Sequence, residues 1–348
     1  MPKSVLRKTL HGFKPYVPGE QPPDGEGWVK LNTNESPLPP SPKVIEAIKN
    51  AANDALRLYP SPTAAPAREA IARRYGLSPA QVTVGNGGDE LIELCFRAFA
   101  DAGERVAFPT PTYPLLEPLC RIHEAVPSPH PTELFEELPP SLGPDPAPLK
   151  FIVNPNSPTG ALFDSAQVKG AVIASTGVVA IDEAYVDFAP RSAIGLVADH
   201  DNVVLLRTFS KSFGLAGMRI GFALGSSEII EALDAVKDSY NVDRLSIAAA
   251  VAAIEDEGHH RELVGEVVKN RTALATALEG LGFEVVPSST NFVFTRPPRP
   301  AIELVEALRQ RRILVRHYDR EPIAGWLRIT VGTREQHDKL LQALKEIL

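Results

Sequence analysis

The sequence predicts a large α/β domain on a mostly parallel sheet, followed by a smaller α/β unit. Three observations predict it. Short apolar runs alternate with stretches of helical periodicity as far as residue 225, the pattern of strands covered on both faces by crossover helices. A second, shorter series of strand and helix signals follows residue 260. The 348 residues exceed what one hydrophobic core usually serves, while a hydrophobic share of 44% is ample for two.

In chain order, residues 1–31 show weak periodicity and read as an arm lying on another part of the protein. Residues 42–56 (PKVIEAIKNAANDAL) place apolar side chains at helical spacing. Residues 64–75 (AAPAREAIARRY) do so again and stop at Gly76. Apolar runs at 82–84, 106–108, 151–153, 178–181, 203–207 and 220–224 mark strands, with a helix over 90–100 (ELIELCFRAFA). The region 227–257 reads as long and helical, and 260–281 as a further amphipathic helix. Strand signals at 283–287, 291–295, 313–316 and 326–330, a helix at 301–311 and a terminal helix complete the smaller unit. The expected division is an arm over 1–31, a large domain over 32–240 and a small domain over 241–348. No internal repeat is visible.

Composition removes several classes of function. Lys and Arg number 36 against 43 Asp and Glu, a formal net charge of −7. Nucleic-acid backbones are held by clustered cations, so no nucleic-acid partner is expected. Cys95 and Cys120 are too few for a disulfide framework or a cysteine zinc site. Both stand among apolar neighbours and read as core thiols in a reducing compartment. The eight histidines show no metal-ligand spacing, and His259 and His260 read as a solvated helix face. The basic start lacks the apolar run of a secretory signal, and no stretch approaches the ~20 apolar residues of a membrane span. A cytoplasmic location is expected. Prolines are abundant, at 33, and cluster at 36–42 and 127–148, which read as stiff surface connections.

Ligands of open α/β sheets bind beyond the carboxyl ends of the strands. Past 82–84 comes Gly85-Asn86-Gly87-Gly88-Asp89 and then a helix. Glycines allow close backbone approach and a helix N-terminus offers free N–H groups, together an anion cup suited to phosphate. Alone the string is as readily a glycine-rich turn; it is neither a dinucleotide fingerprint nor a Walker loop. Past 178–181 comes Asp182-Glu183-Ala184-Tyr185, where the first carboxylate either caps a helix or holds a positive charge on a ligand. Past 203–207 comes Thr208-Phe209-Ser210-Lys211, and Arg219 follows nearby. A lysine at a desolvated strand end has a lowered pKa and condenses with carbonyls. Thr208, Ser210 and Arg219 are phosphate donors by type, although Arg219 alone reads equally as a structural ion pair. A phosphate cup, a carboxylate and an amine thus stand at one sheet edge. Pyridoxal 5′-phosphate (PLP) carries a phosphate, a protonatable ring nitrogen and an aldehyde.

The same residues fall in strings that resemble the fold-type I PLP-dependent aminotransferases. In order they are KPYVPG at 14–19, LNTNESP at 31–37, Tyr59-Pro60, GNGGDE at 85–90, PTY at 111–113, NPNSPTG at 154–160, DEAYVDF at 182–188, TFSKSFGLAGMRIG at 208–221, SYNV at 239–242 and LRITVGT at 327–333. The first and last strings narrow the resemblance to the histidinol-phosphate aminotransferases. It implies a mostly parallel seven-stranded sheet in the large domain, a smaller C-terminal α/β domain and an N-terminal arm.

The resemblance also implies roles. Lys211 would bind the cofactor covalently and, once freed by substrate, act as the base at the substrate Cα. Asp182 would pair with the pyridine nitrogen, and Tyr185 would reach the ring 3′-oxygen. Gly87, Gly88, Asp89, Thr208, Ser210 and Arg219 would bind the cofactor, mainly through its phosphate, with Tyr113 stacked on the ring. Tyr59 would reach the phosphate from a partner subunit, which implies a homodimer with shared sites. Tyr16, Asn34, Arg316 and Arg328 would bind substrate; two arginines suit a dianionic phosphate. One position departs from the family pattern. Ser157 stands where an asparagine usually contacts the 3′-oxygen, and Asn156 before it either compensates or serves the turn.

The expected reaction is transamination between L-histidinol phosphate and 2-oxoglutarate, a step of histidine biosynthesis. Its rivals are an aromatic amino acid aminotransferase and a PLP-dependent threonine-phosphate decarboxylase on the same scaffold. A non-catalytic PLP-binding regulator is disfavoured by the intact Lys211 and by the lack of an appended DNA-binding segment.

Overall fold

Helix caps and prolines set most element limits in the computed structural model, which describes residues 7–23, 27–132 and 135–348. The remainder of the expected arm, residues 1–6 and 24–26, lies outside the described residues. Strand β1 (Val29–Leu31) closes that arm. Helix α1 (Pro42–Ala51) starts at Ser41, whose hydroxyl accepts from the Lys43 N–H, with Pro42 where no donor is needed. It ends sooner than the periodicity predicts, because Asn53 caps a separate 3-10 turn, Asp54–Arg57. Helix α2 (Ala65–Tyr75) stops at Gly76, which takes a left-handed φ of 67°.

Then follow β2 (Val82–Gly85), α3 (Gly88–Phe99), β3 (Arg105–Thr110), α4 (Leu116–Ile122) and β4 (Val126–Pro131). Next come β5 (Leu149–Val153), α5 (Ser165–Ala174), β6 (Val178–Asp182), α6 (Gly195–Asp199), β7 (Val203–Thr208) and β8 (Gly221–Gly225). The long helical region divides into α7 (Ser227–Val236) and α8 (Arg244–Glu255), because Asp243 caps α8 by accepting from the Leu245 and Ser246 N–H groups. The chain ends with α9 (Glu257–Glu279), β9 (Glu284–Val286), β10 (Phe292–Arg296), α10 (Ala301–Gln310), β11 (Ile313–His317), β12 (Leu327–Thr330) and α11 (Arg334–Ile347).

The large sheet has seven strands in the order β2-β8-β7-β6-β5-β3-β4. All neighbours run parallel except β8, which is antiparallel to β2 and β7. Its inner strands are buried along their length, which is why they read as continuous apolar runs. One face packs Ile71, Ile152, Ile181, Leu205 and Phe222 with residues of α8, the other Leu91, Phe96, Phe108, Phe151 and Leu206. Cys95 and Cys120 are buried in the second face, and burial pushes the Cys120 thiol up to about 12.

The small sheet has the order β1-β11-β12-β10-β9, so the end of the expected arm is its edge strand, Val29 opposite Ile313. Among the described residues, no helix is long and apolar enough to cross a membrane.

Two sequence expectations are corrected here. The proline-rich segment opening at residue 127 was expected to be a connection, yet its start is the edge strand β4. Val126 and Thr132 donate to the carbonyls of Glu104 and Thr110, so even positions face the ladder. Pro127, Pro129 and Pro131 fall on odd positions, where an edge strand needs no donor. The solvated face expected for His259 and His260 also fails for His260. Its ring is buried, stacks on Phe213 at 4.1 Å and faces Asp187 across 3.4 Å. Helical periodicity does not reveal a partner contributed by a distant segment.

Candidate active site

A cavity of about 490 Å³ lies beyond the carboxyl ends of β5, β6 and β7, with residues of β11 and β12 forming its far wall. Asp182 is the last residue of β6, so the run that buries the strand also buries its carboxylate. Burial raises its pKa to about 6, against the pull of the Ala184 N–H donated to Oδ1 at 2.9 Å.

Past β7, Phe209 and Phe213 anchor the loop in the core, and Lys211 lines the cavity. Its Nζ stands 5.7 Å from the centre of the Tyr185 ring and forms no hydrogen bond or ion pair with any described residue. Burial lowers the amine to about 8, and the Arg328 cation acts in the same direction.

Thr208 Oγ donates to Ser210 Oγ at 3.0 Å, and Arg219 Nη1 reaches the same Ser210 oxygen at 3.4 Å. A Cβ added to Gly87, which has a φ of 88°, would sit 2.7 Å from Arg219 Nη2. Glycine there is what lets the guanidinium lie on the backbone. The first turn of α3, from Gly88 and Asp89, adds N–H groups without intrahelical acceptors. The Asp89 side chain itself offers no donor: it accepts from the Tyr113 hydroxyl at 3.0 Å and pairs with Arg219 across 3.6 Å. Two hydroxyls, a guanidinium and a helix N-terminus therefore converge, with Asp182 and Lys211 on the same cavity. This donor set fits PLP: the cup for the phosphate, Asp182 for the ring nitrogen, Lys211 for the aldehyde.

Tyr113 and Tyr16 meet edge to face with ring centres 5.8 Å apart, and burial raises both hydroxyls above their ordinary value. Tyr185 accepts from Asn34 Nδ2 at 2.9 Å, and burial raises its hydroxyl too. Ser157 lines the cavity, and its hydroxyl accepts from Arg328 Nη1 at 3.4 Å. Asn156 turns away, donating to the Pro111 carbonyl at 3.0 Å and to Thr159 Oγ at 2.9 Å, so it serves the turn. Tyr59 is not brought to this cavity; it is 79% exposed and stacks on Tyr240 at 4.6 Å.

Arg316 and Arg328 face one another in register across antiparallel β11 and β12. Arg328 is buried, donates to the Asn32 carbonyl at 3.1 Å and leaves Nε without an acceptor. Arg316 donates to the carbonyls of Val17 and Pro18 at 2.7 and 3.2 Å. Neither pairs with a described carboxylate. Like charges opposite each other on neighbouring strands repel, and an anion between them removes the repulsion.

Sequence reading missed Tyr318, over whose ring both guanidinium groups sit, at 5.2 and 5.7 Å. It also missed Glu35 in the cavity wall, paired with Lys30 at 2.7 Å, and Thr330, which holds Asn34. The period-two rule could have found Thr330, since it shares a strand face with Arg328.

Comparison with known proteins matches residues 26–344 to the family described as aminotransferase class I and II. The histidinol-phosphate aminotransferase of Acetobacter pasteurianus is 46% identical over 346 residues, covering 97% of this chain and 96% of that protein. The histidinol-phosphate aminotransferase of Aromatoleum aromaticum is 46% identical over 349 residues, covering 98% of each. The crystal structure of histidinol-phosphate aminotransferase from Sinorhizobium meliloti in complex with pyridoxal-5′-phosphate superposes with a TM-score of 0.85 at 29% identity, over 92% of this chain and 91% of that one.

Proposed function

The chain belongs to the histidinol-phosphate aminotransferases of aminotransferase classes I and II, and from that premise we propose that it converts L-histidinol phosphate and 2-oxoglutarate into imidazole-acetol phosphate and glutamate. The reaction is a cytoplasmic step of histidine biosynthesis. The observation that carries the substrate assignment is the pair Arg316 and Arg328, two cations in register on the cavity wall without a carboxylate partner among the described residues. A phosphate dianion answers both charges, and a dicarboxylic acid can answer them in the other half-reaction.

The cofactor is PLP, which when bound supplies an electron sink for the electron pair left as the substrate Cα loses its proton. Lys211, already lowered to about 8, is suited to hold that proton at Nζ and return it. Asp182 would hold the ring nitrogen, supplying a buried negative charge that favours its protonated form. The Tyr185 hydroxyl would serve the ring 3′-oxygen. Thr208, Ser210, Arg219 and the first turn of α3 would hold the phosphate, and Tyr113 would cover the ring. Tyr16 and the arginine pair close on the acid end of the substrate. Tyr59 acts in a homodimer, at the phosphate of the neighbouring subunit; its exposure away from its own cavity supports that reading.

Half-reaction kinetics with histidinol phosphate, phenylalanine, tyrosine and threonine phosphate test the assignment. Histidinol phosphate is expected to have the highest kcat/KM. A preference for phenylalanine or tyrosine would reassign the substrate while leaving the roles of Lys211 and Asp182 standing.

A further inference from the structure

Behind the Tyr185 hydroxyl runs a buried chain of hydrogen bonds that ends on the strand carrying Arg328. Thr330 lies two residues beyond Arg328 on β12, so both side chains share one face. Its hydroxyl accepts from the Asn34 N–H at 3.0 Å and donates to Asn34 Oδ1 at 3.2 Å. Asn34 Nδ2 donates to the Tyr185 oxygen at 2.9 Å, and the Asn34 carbonyl accepts from Asn291 Nδ2 at 3.0 Å. Asn34, Thr330, Asn291 and Tyr185 are all buried. Asn34 holds a left-handed φ of 54°, which asparagine tolerates better than most residues, and this turns its amide toward both sheets.

A threonine hydroxyl has one proton to give. Here it goes to Asn34 Oδ1, which orients the amide with oxygen toward β12 and nitrogen toward Tyr185. The Tyr185 oxygen therefore receives a donor, and its own proton is left for an acceptor in the cavity. With the amide reversed, Oδ1 would take the phenolic proton and the Thr330 proton would face an NH₂ group.

We propose that Thr330 is a positioning residue: through Asn34 it fixes the Tyr185 hydroxyl as a donor to the cofactor's ring oxygen, so that the strand reading the substrate's acid end also sets the proton affinity of the cofactor-bound Lys211 nitrogen. The inference rests on the PLP reading of the site and not on the identity of the amino donor. A donor on the ring oxygen stabilises its negative charge and competes with the protonated nitrogen beside it. Weakening that donor lets the nitrogen keep its proton to higher pH. Lys211 is also faced by Arg328, Arg219, Asp89, Glu35 and Asp182, and Tyr185 by Arg328, Asp182, Tyr16, Tyr113 and the Ser157 hydroxyl, a second side-chain partner of its oxygen. None of these is replaced in the Thr330 variants, so a shift reports the hydroxyl chain.

The experiment is a pH titration of the visible absorption of PLP-loaded protein for wild type, Thr330→Val, Thr330→Ser, Tyr185→Phe and the double variant Thr330→Val with Tyr185→Phe. Thr330→Val is expected to move the spectral midpoint up by about 0.5 pH unit or more, the scale of one weakened hydrogen bond. Thr330→Ser is expected to titrate like wild type, and Thr330→Val to add nothing once Tyr185 is Phe. A midpoint unchanged in Thr330→Val overturns the proposal, and so does a shift of full size in the Tyr185→Phe background. Should Thr330→Val fail to hold the cofactor, Asn34→Ala carries the same expected rise, and an unshifted midpoint there overturns it equally. Wild-type protein that takes up no PLP would sink the cofactor reading instead, and coloured protein preferring another amino donor would sink only the substrate assignment.

Discussion

Asp182 and Lys211 are an acid and a base that burial pushes toward neutral pH from opposite sides, about 6 and about 8. For Asp182 the folded pKa lies above its unfolded value near 3.8, so the folded apoprotein binds more protons between those limits. Its stability therefore falls as pH rises through that window, and at neutral pH the buried anion costs up to about 3 kcal/mol. Asp182→Asn should raise the denaturation midpoint of the apoprotein at pH 7.5, lose that advantage as pH approaches 4, and lower turnover of the loaded enzyme by orders of magnitude. Denaturant titrations at the two pH values check this; equal midpoints at pH 7.5 would contradict it. Such residues are legible in sequence because they end apolar runs: Asp182 closes β6, and Lys211 stands three residues past β7. Thr330 is legible only through its place two residues beyond Arg328, because a hydroxyl beside β-branched neighbours otherwise reads as ordinary strand material, and Tyr318, one residue past β11, carries no local signal that two guanidinium groups sit over its ring. His260 misleads for a related reason, its partners Phe213 and Asp187 being set by tertiary packing alone.

At the scale of elements, apolar runs located the inner strands to within a residue or two, and hydrogen-bonding side chains decided what periodicity left open. Asp243 separates α7 from α8 by satisfying two N–H groups at the start of α8. Asp243→Ala should cost about 1 kcal/mol of stability by removing that cap. Equilibrium unfolding in denaturant measures it, and an unchanged midpoint would show that packing of α8 on the large sheet holds the helix without its cap. The edge strand β4 was hidden by prolines, whose local signal is for a connection. Only the register with β3 reveals that each proline stands where the sheet asks for no donor.

For the whole molecule, the order of α and β signals was enough to foresee a mostly parallel sheet with a second unit after it. The motif string supplied most of the cavity. What the chain order could not show is that Val29–Leu31 belongs to the small sheet. The proposed dimer is the remaining step at this scale. Leu56, Leu58, Tyr59 and Tyr240 are exposed together with the Tyr59–Tyr240 stack, a surface suited to a second copy. Tyr59→Ala should leave the fold intact and weaken PLP retention by about tenfold, the worth of one phosphate hydrogen bond. Mixing it with Lys211→Ala should recover activity in hybrids that combine one intact lysine with the other subunit's tyrosine. Recovery absent on mixing would argue against shared sites. The edge strand β1 has a further consequence, for synthesis. Its partner Ile313–Val315 leaves the ribosome about 280 residues after it. These two distant segments must therefore be gathered before the small sheet is whole. A C-terminal fragment expressed by itself would present a bare parallel edge, ready to recruit a stranger's backbone unless the missing tripeptide were restored.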